Sequence, residues 1–217
     1  MYNIMEKNFI ITIGRQIGSG GLEIAQKLSD KLGVKMYDKE LLNIASRESG
    51  LRNDLFEKKD EKIENGLKGV LGSLLGIRGY FADGGAISLS SSITEEDLFT
   101  VQSAVIKKIV SENSSIFIGR CADYILRDYP TILSVFISAE KKFRIARLMD
   151  MRGITQAAAL KIIDQWDKER AAYYNYYTFK KWGDASSYHL CIDSSKFGID
   201  GAVEMIFKSN FYNIKSI

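Results

Sequence analysis

The stretch Gly14-Arg15-Gln16-Ile17-Gly18-Ser19-Gly20-Gly21 holds four of the chain's 18 glycines and separates an apolar, β-branched run from a helical pattern. Where a strand feeds a helix through such a turn, successive backbone N–H groups and the helix N-terminus form an anion site, and phosphate is its natural guest. The phosphate-loop pattern GxxxxGK[ST] is met only in part. With Gly18-Ser19-Gly20 on the end of that loop, Gly21 stands where lysine belongs and Leu22 where the magnesium-holding Ser or Thr belongs. Arg15 and Lys39 are the cations available to restore the missing charge, and Ser19 is the candidate hydroxyl. A plain tight turn is the competing reading, and the local pattern does not separate the two.

A second set of charges is DxxDxxR, formed by Asp164, Asp167 and Arg170. On a helix these three span about 120° of the circumference, so they share a face. Upstream, Arg144 and Arg147 lie one turn apart and Arg152 follows, so several guanidiniums can converge on phosphates through bidentate hydrogen bonds. The alternative is a solvated face whose ion pairs contribute only about 0.2–0.5 kcal/mol each. Asp38 and Asp123 are the candidates for metal binding or proton transfer, and either can equally cap a helix. Tyr173, Tyr174, Tyr176 and Tyr177 can stack a base but more simply pack a helix, with Trp166 and Trp182 as anchors nearby. His189 has no identifiable catalytic partner, and nothing marks Cys121 as a nucleophile.

Elements of matching length must hold these residues. Residues 9–13 have the pattern of a strand buried on both faces. Leu22, Ile24, Ala25, Leu28 and Leu32 then recur at helical spacing until Gly33 supplies a stop. Further strands are expected at 34–37, 116–118, 132–137 and 188–192. Helices are expected at 39–49, from Thr94 through Leu98, Val101, Val105 and Ile109, at 122–127, from Glu140, at 155–177 and at the C-terminus. This alternation predicts one α/β domain with a parallel sheet covered on both faces. Within it, Leu67, Val70, Leu71, Leu74 and Leu75 give residues 57–93 an apolar helical stripe, although each interior glycine costs about 1 kcal/mol of helix propensity. That insertion is expected to need a covering surface, either a substrate or a second copy in a homodimer.

Composition narrows the classes. The 217 residues are 46% apolar and 26% charged, which excludes a disordered tail or a disulfide miniprotein. With 30 basic against 27 acidic residues, the net charge of +3 is too small for a general nucleic-acid or membrane-surface binder. Two cysteines without CxxC spacing and one histidine provide neither a disulfide framework nor a zinc cluster, so a reducing, cytoplasmic setting is expected. The first residues lack the pattern of a secretory signal, and no run of about 18 apolar residues appears, so neither export by that route nor a membrane span is expected.

Taken together, these pieces resemble the cytidylate kinase-like family, a branch of the nucleoside monophosphate kinases in the P-loop superfamily. The resemblance is carried by Ile11-Thr12-Ile13 with Gly18 to Ala25, Tyr37-Asp38-Lys39-Glu40-Leu41, Ile118 to Asp123, Val135 to Ala139, Arg144 with Arg147, and Asp164 to Arg170 leading into Tyr173-Tyr174. It implies a three-layer α/β/α fold with a five-stranded parallel sheet, a helical acceptor segment at 57–93 and a lid at 140–185. The implied reaction is ATP- and Mg²⁺-dependent phosphoryl transfer to a nucleoside monophosphate such as CMP or dCMP, or to a related small acceptor. Gly18, Ser19, Gly20, Gly21 and Leu22 would then hold ATP. Arg15, Arg144, Arg147 and Arg170 would act on the transferred group, and Asp38, Lys39, Arg120, Asp164, Asp167 and Arg170 would face the acceptor. Lys39, Cys121 and Ile118 depart from the family pattern, which has a small hydroxyl residue at the first position and acids at the other two. The alternative is a nucleotide-binding regulatory protein that does not catalyse.

Overall fold

The computed structural model describes residues 8–38 and 95–215. Lys39, the helix expected at 39–49 and the insertion at 57–93 lie outside the described residues, and so does the homodimer expectation that rested on that insertion.

Strand β1 (Ile10–Arg15) runs into the glycine loop and helix α1 (Gly21–Leu32). Gly33 ends α1 in left-handed backbone, its N–H returning to Ser29 O, as a glycine stop requires. Then follow β2 (Lys35–Tyr37), α2 (Glu95–Glu112), β3 (Ser115–Ile118), the short α3 (Ala122–Ile125) and β4 (Ile132–Ser138). Helices α4 (Lys141–Arg152) and α5 (Gln156–Thr178) precede β5 (Leu190–Asp193) and α6 (Ser194–Lys215), which kinks at Gly198. Thr155 caps α5 by accepting the Ala158 N–H.

The five strands form one parallel sheet in the order β2-β3-β1-β4-β5. Alternation along the strands builds two cores. Ile11, Ile13, Ile116, Ile118, Val135 and Ile137 face Ile24 and Leu28 of α1 and Val203 and Ile206 of α6. Ile10, Phe117 and Ile132 face the other way, onto Val105, Ile106 and Val110 of α2. Burying each such side chain contributes roughly 1.5–3 kcal/mol, so the sheet is the rigid body against which the loops at its carboxyl end are aimed. In this order β1 and β3 are neighbours while their crossovers diverge, and the crevice above their carboxyl ends is where open α/β sheets bind ligands. A third packing group joins α4 to α5: Leu148, Ala159 and Ile163, with Ile17 of the glycine loop against them.

Candidate active site

The glycine loop closes on itself. Ser19 N–H and Ser19 Oγ both donate to Gln16 O, at 3.3 and 2.9 Å. The Gln16 side chain accepts the Ala139 N–H at 3.1 Å, which ties the loop to the end of β4. Gly18 and Gly20 hold left-handed backbone at φ 76° and 80°, a region that costs a residue with a Cβ about 1–2 kcal/mol. No side chain caps α1, so the first N–H groups of the helix point into the loop without a side-chain acceptor. A closed turn and an open helix N-terminus together suit an anion.

The hydroxyl expected from Ser19 is committed within the loop, and Ser19 is fully buried. Leu22, where the family of phosphate loops carries Ser or Thr, is 55% exposed. No group of three His, Cys, Asp or Glu among the described residues is placed to hold a metal ion. Among the described residues, protein groups therefore form no three-ligand cage for a metal ion.

Cations surround the loop. Arg15 leaves the end of β1 with its side chain across Gly21, where a Cβ would come within 2.6 Å of Arg15 Cβ, and with its guanidinium against Gly119. Its pKa is drawn down to about 9 by desolvation and then by Arg170 and Arg120, with Asp38 opposing them. Arg170 is likewise held below its ordinary value, first by burial, with Arg144 and Arg120 adding to the effect and Asp167 opposing it. Arg170 donates to Arg15 O at 3.0 Å. Three guanidiniums, Arg15, Arg120 and Arg170, thus share one crevice at the ends of β1 and β3, with Asp38 at the end of β2 beside them. Mutual repulsion of this kind is relieved by an incoming anion.

Arg120 sits in strained backbone. Gly119, Arg120 and Cys121 are consecutively left-handed, at φ 69°, 59° and 55°, and two of the three carry a Cβ. Tyr173 lies 5.7 Å beneath the Arg120 guanidinium, close enough for a cation–π contact. Trp166 lies between Arg152 and Arg170, at 5.6 and 5.9 Å. Arg147 lies over Gly20 and is paired with Glu23 of α1 at 2.8 Å, while its buried Nε has no hydrogen-bond partner.

Not every expected residue joins this crevice. Asp164 is exposed and pairs with Lys141 at 3.0 Å. Asp167 accepts the Ile17 N–H at 2.9 Å and is ion-paired with Arg144, which is buried. Asp123 accepts from Tyr174 Oη at 2.7 Å and lines a polar cavity of about 200 Å³ with Lys180 and His189; burial holds its carboxyl above the ordinary value. The tyrosines pack: Phe99 stacks on Tyr177 at 4.1 Å, and Tyr173 meets Tyr177 at 4.8 Å. His189 is satisfied, its Nδ1 accepting the Ser134 N–H. Burial and the nearby Asp123 push the Cys121 thiol up, which leaves it un-ionised.

Glu23, Gln16 and Ser194 are site residues that the sequence did not single out. Ser194 Oγ donates to Ser19 O at 2.6 Å, hooking the start of α6 to the loop. The acid in the first turn of α1 was a readable signal for Glu23. For Gln16 and Ser194, whose partners Ala139 and Ser19 lie more than a hundred positions away, there was none.

The family model described as "Cytidylate kinase-like family" matches residues 10–196. An uncharacterized protein from Eubacterium ventriosum has a similar structure, with 29% identity over 94% of this chain and 98% of that one and a TM-score of 0.69. Two shikimate kinases are more distant. The enzyme from Bacteroides thetaiotaomicron is 16% identical over 93% of this chain and 97% of its own, and the Acinetobacter baumannii enzyme in complex with shikimate is 14% identical over 96% and 95%, each with a TM-score of 0.48. No curated protein matches the chain. Membership of a kinase-like family supports phosphoryl transfer as the general chemistry. The match runs from the first residue of β1 past the start of α6, across every segment that carries the arginines, and on that extent the chain belongs to the cytidylate kinase-like family.

Proposed function

We propose that this protein transfers the γ-phosphoryl group of ATP to a nucleoside monophosphate of the CMP or dCMP kind. The observation that carries the reading is the arginine crevice. Arg15, Arg120 and Arg170 lie beside an uncapped helix N-terminus, buried enough to depress Arg15 to about 9. Phosphoryl transfer asks a protein mainly to position two polyanions and to neutralise charge on the transferred group. An acceptor phosphate oxygen attacks Pγ, the bond from Pγ to the bridging oxygen of ADP breaks, and the products are ADP and a nucleoside diphosphate. The acceptor oxygen is already anionic, so no protein base is required.

In this reading the loop at Gly18 to Leu22 holds the ATP phosphates, and Arg15 and Arg147 supply the charge of the missing lysine. Arg120 and Arg170 hold the acceptor phosphate, with Asp38 at its margin. Mg²⁺ bound to ATP lowers the charge on the transferred group.

A nucleotide-binding protein without turnover is the second reading, favoured by the buried Ser19 hydroxyl and by Leu22 in the place of a hydroxyl residue. One assay separates them: ADP release by the pure protein with Mg²⁺-ATP across CMP, dCMP, UMP, AMP and GMP, with Arg170→Ala as control. Acceptor-dependent turnover with one pyrimidine nucleotide, lowered about a hundredfold or more in the variant, is expected. ATP bound tightly with silence across the panel would overturn the nucleoside monophosphate as acceptor and leave a non-nucleotide acceptor or the second reading.

A further inference from the structure

Ile17 is gripped on every side by α4 and α5. Its N–H donates to Asp167 Oδ1 at 2.9 Å, its carbonyl accepts from Arg144 Nε at 2.8 Å, and its side chain packs on Leu148, Ala159 and Ile163. Arg144 and Asp167 are also paired with each other, their side chains only 6% and 17% exposed. Both Asp167 oxygens are therefore occupied, Oδ1 by the loop and Oδ2 by the guanidinium. The next residue, Gly18, passes so close that a Cβ there would lie 2.8 Å from Arg144 O. A buried arginine and aspartate thus read the backbone of one loop residue, its donor and its acceptor together.

Such a pair can hold the loop only in one shape, because each partner left alone is a buried charge without its counter-ion. On the nucleotide reading the loop is the segment that presents N–H groups to the anion, so its shape and its affinity for phosphate are coupled. We propose that Arg144 and Asp167 are positioning residues for the phosphate loop, so that its hold on a polyphosphate depends on α4 and α5 even when no acceptor is present. The inference rests on the reading of the loop as the nucleotide site, and it assigns Asp167 to the donor side rather than to the acceptor.

The test uses the full chain and two probes, sodium tripolyphosphate and CMP, titrated separately by calorimetry into wild type, Asp167→Ala and Arg144→Lys. Amide exchange at Ile17 and a thermal melt are recorded on the same samples. Arg144→Lys keeps a cation opposite Asp167 while losing the planar donor set that reaches the Ile17 carbonyl, and it carries the test if Asp167→Ala does not fold. Tripolyphosphate affinity should fall about tenfold or more in a folded variant, with faster exchange at Ile17 and CMP affinity held within about twofold. Loss of CMP affinity with tripolyphosphate binding intact makes Asp167 an acceptor contact and overturns the proposal. A wild type without affinity for tripolyphosphate overturns it together with the nucleotide reading. A wild type that binds tripolyphosphate but never releases ADP removes the phosphotransferase alone, and the variants still decide the clamp.

Discussion

Gly18 and Gly33 share a left-handed backbone but not a neighbourhood. A Cβ on Gly33 meets nothing within 4 Å, whereas one on Gly18 would press into Arg144 O at 2.8 Å. Gly33→Ala should therefore cost about 1–2 kcal/mol, the left-handed backbone alone. Gly18→Ala should add about 1–3 kcal/mol of overpacking against a backbone atom that cannot swing aside. Urea unfolding of the two variants checks this, and equal costs would mean that α4 yields. Asp123 gives a pH effect of defined sign. Its carboxyl is held above the ordinary 3.8 chiefly by burial, against the Tyr174 hydroxyl and Lys180. An acid raised in this way binds its proton more tightly when folded. Its contribution is therefore most favourable below the ordinary carboxylate range and declines as pH rises through the raised value. Asp123→Asn keeps an acceptor for Tyr174 and removes the ionisation, so its unfolding free energy should lack that decline as pH rises above the ordinary carboxylate range. A pH slope identical to wild type would refute the assignment.

Among the elements, α5 ends on a residue that works against it. Phe179 takes the left-handed cap position at φ 54° and is 91% exposed, so it bears the strain and buries almost nothing in return. Phe179→Gly should raise stability by about 0.5–1 kcal/mol, visible as a higher melting temperature; no change would show that the ring is held by contacts that offset the strain. Elements of this kind were legible in the sequence. Residues 9–13 read as β1, Gly33 as the stop of α1, Thr155 as the start of α5 and residues 132–137 as β4, because period and punctuation are local properties. The site was legible in part. Arg15, Arg120 and Arg170 were each singled out, and the fold brings them to one crevice. That Asp167 faces the loop and Asp164 faces solvent was not readable. The two share one helix face, and the difference is set by Ile17, 150 positions away from Asp167. The strain at Arg120 and Cys121 was equally invisible, since neither residue type announces left-handed backbone.

At the scale of the whole molecule, the proposed function makes the metal a partner of the nucleotide and not of the fold. With no three-ligand metal group among the described residues, chelation with EDTA should stop ADP release yet leave the melting temperature within about 1 °C of its original value. A large drop would reveal a structural metal. The order of the sheet has a different consequence, for synthesis. Central strand β1 pairs with β3 and β4 on either side, Ile10 aligning with Ser115 and with Ile132. No partner for this strand exists until more than half the chain has left the ribosome. At about 5–20 residues per second, Ile10, Ile11 and Ile13 remain unpaired for roughly ten seconds. During that interval the nascent chain exposes a β-branched segment suited to a chaperone that binds extended apolar peptides. A strand that is later paired on both sides and buried along most of its length is thus open to aggregation while the protein is being made.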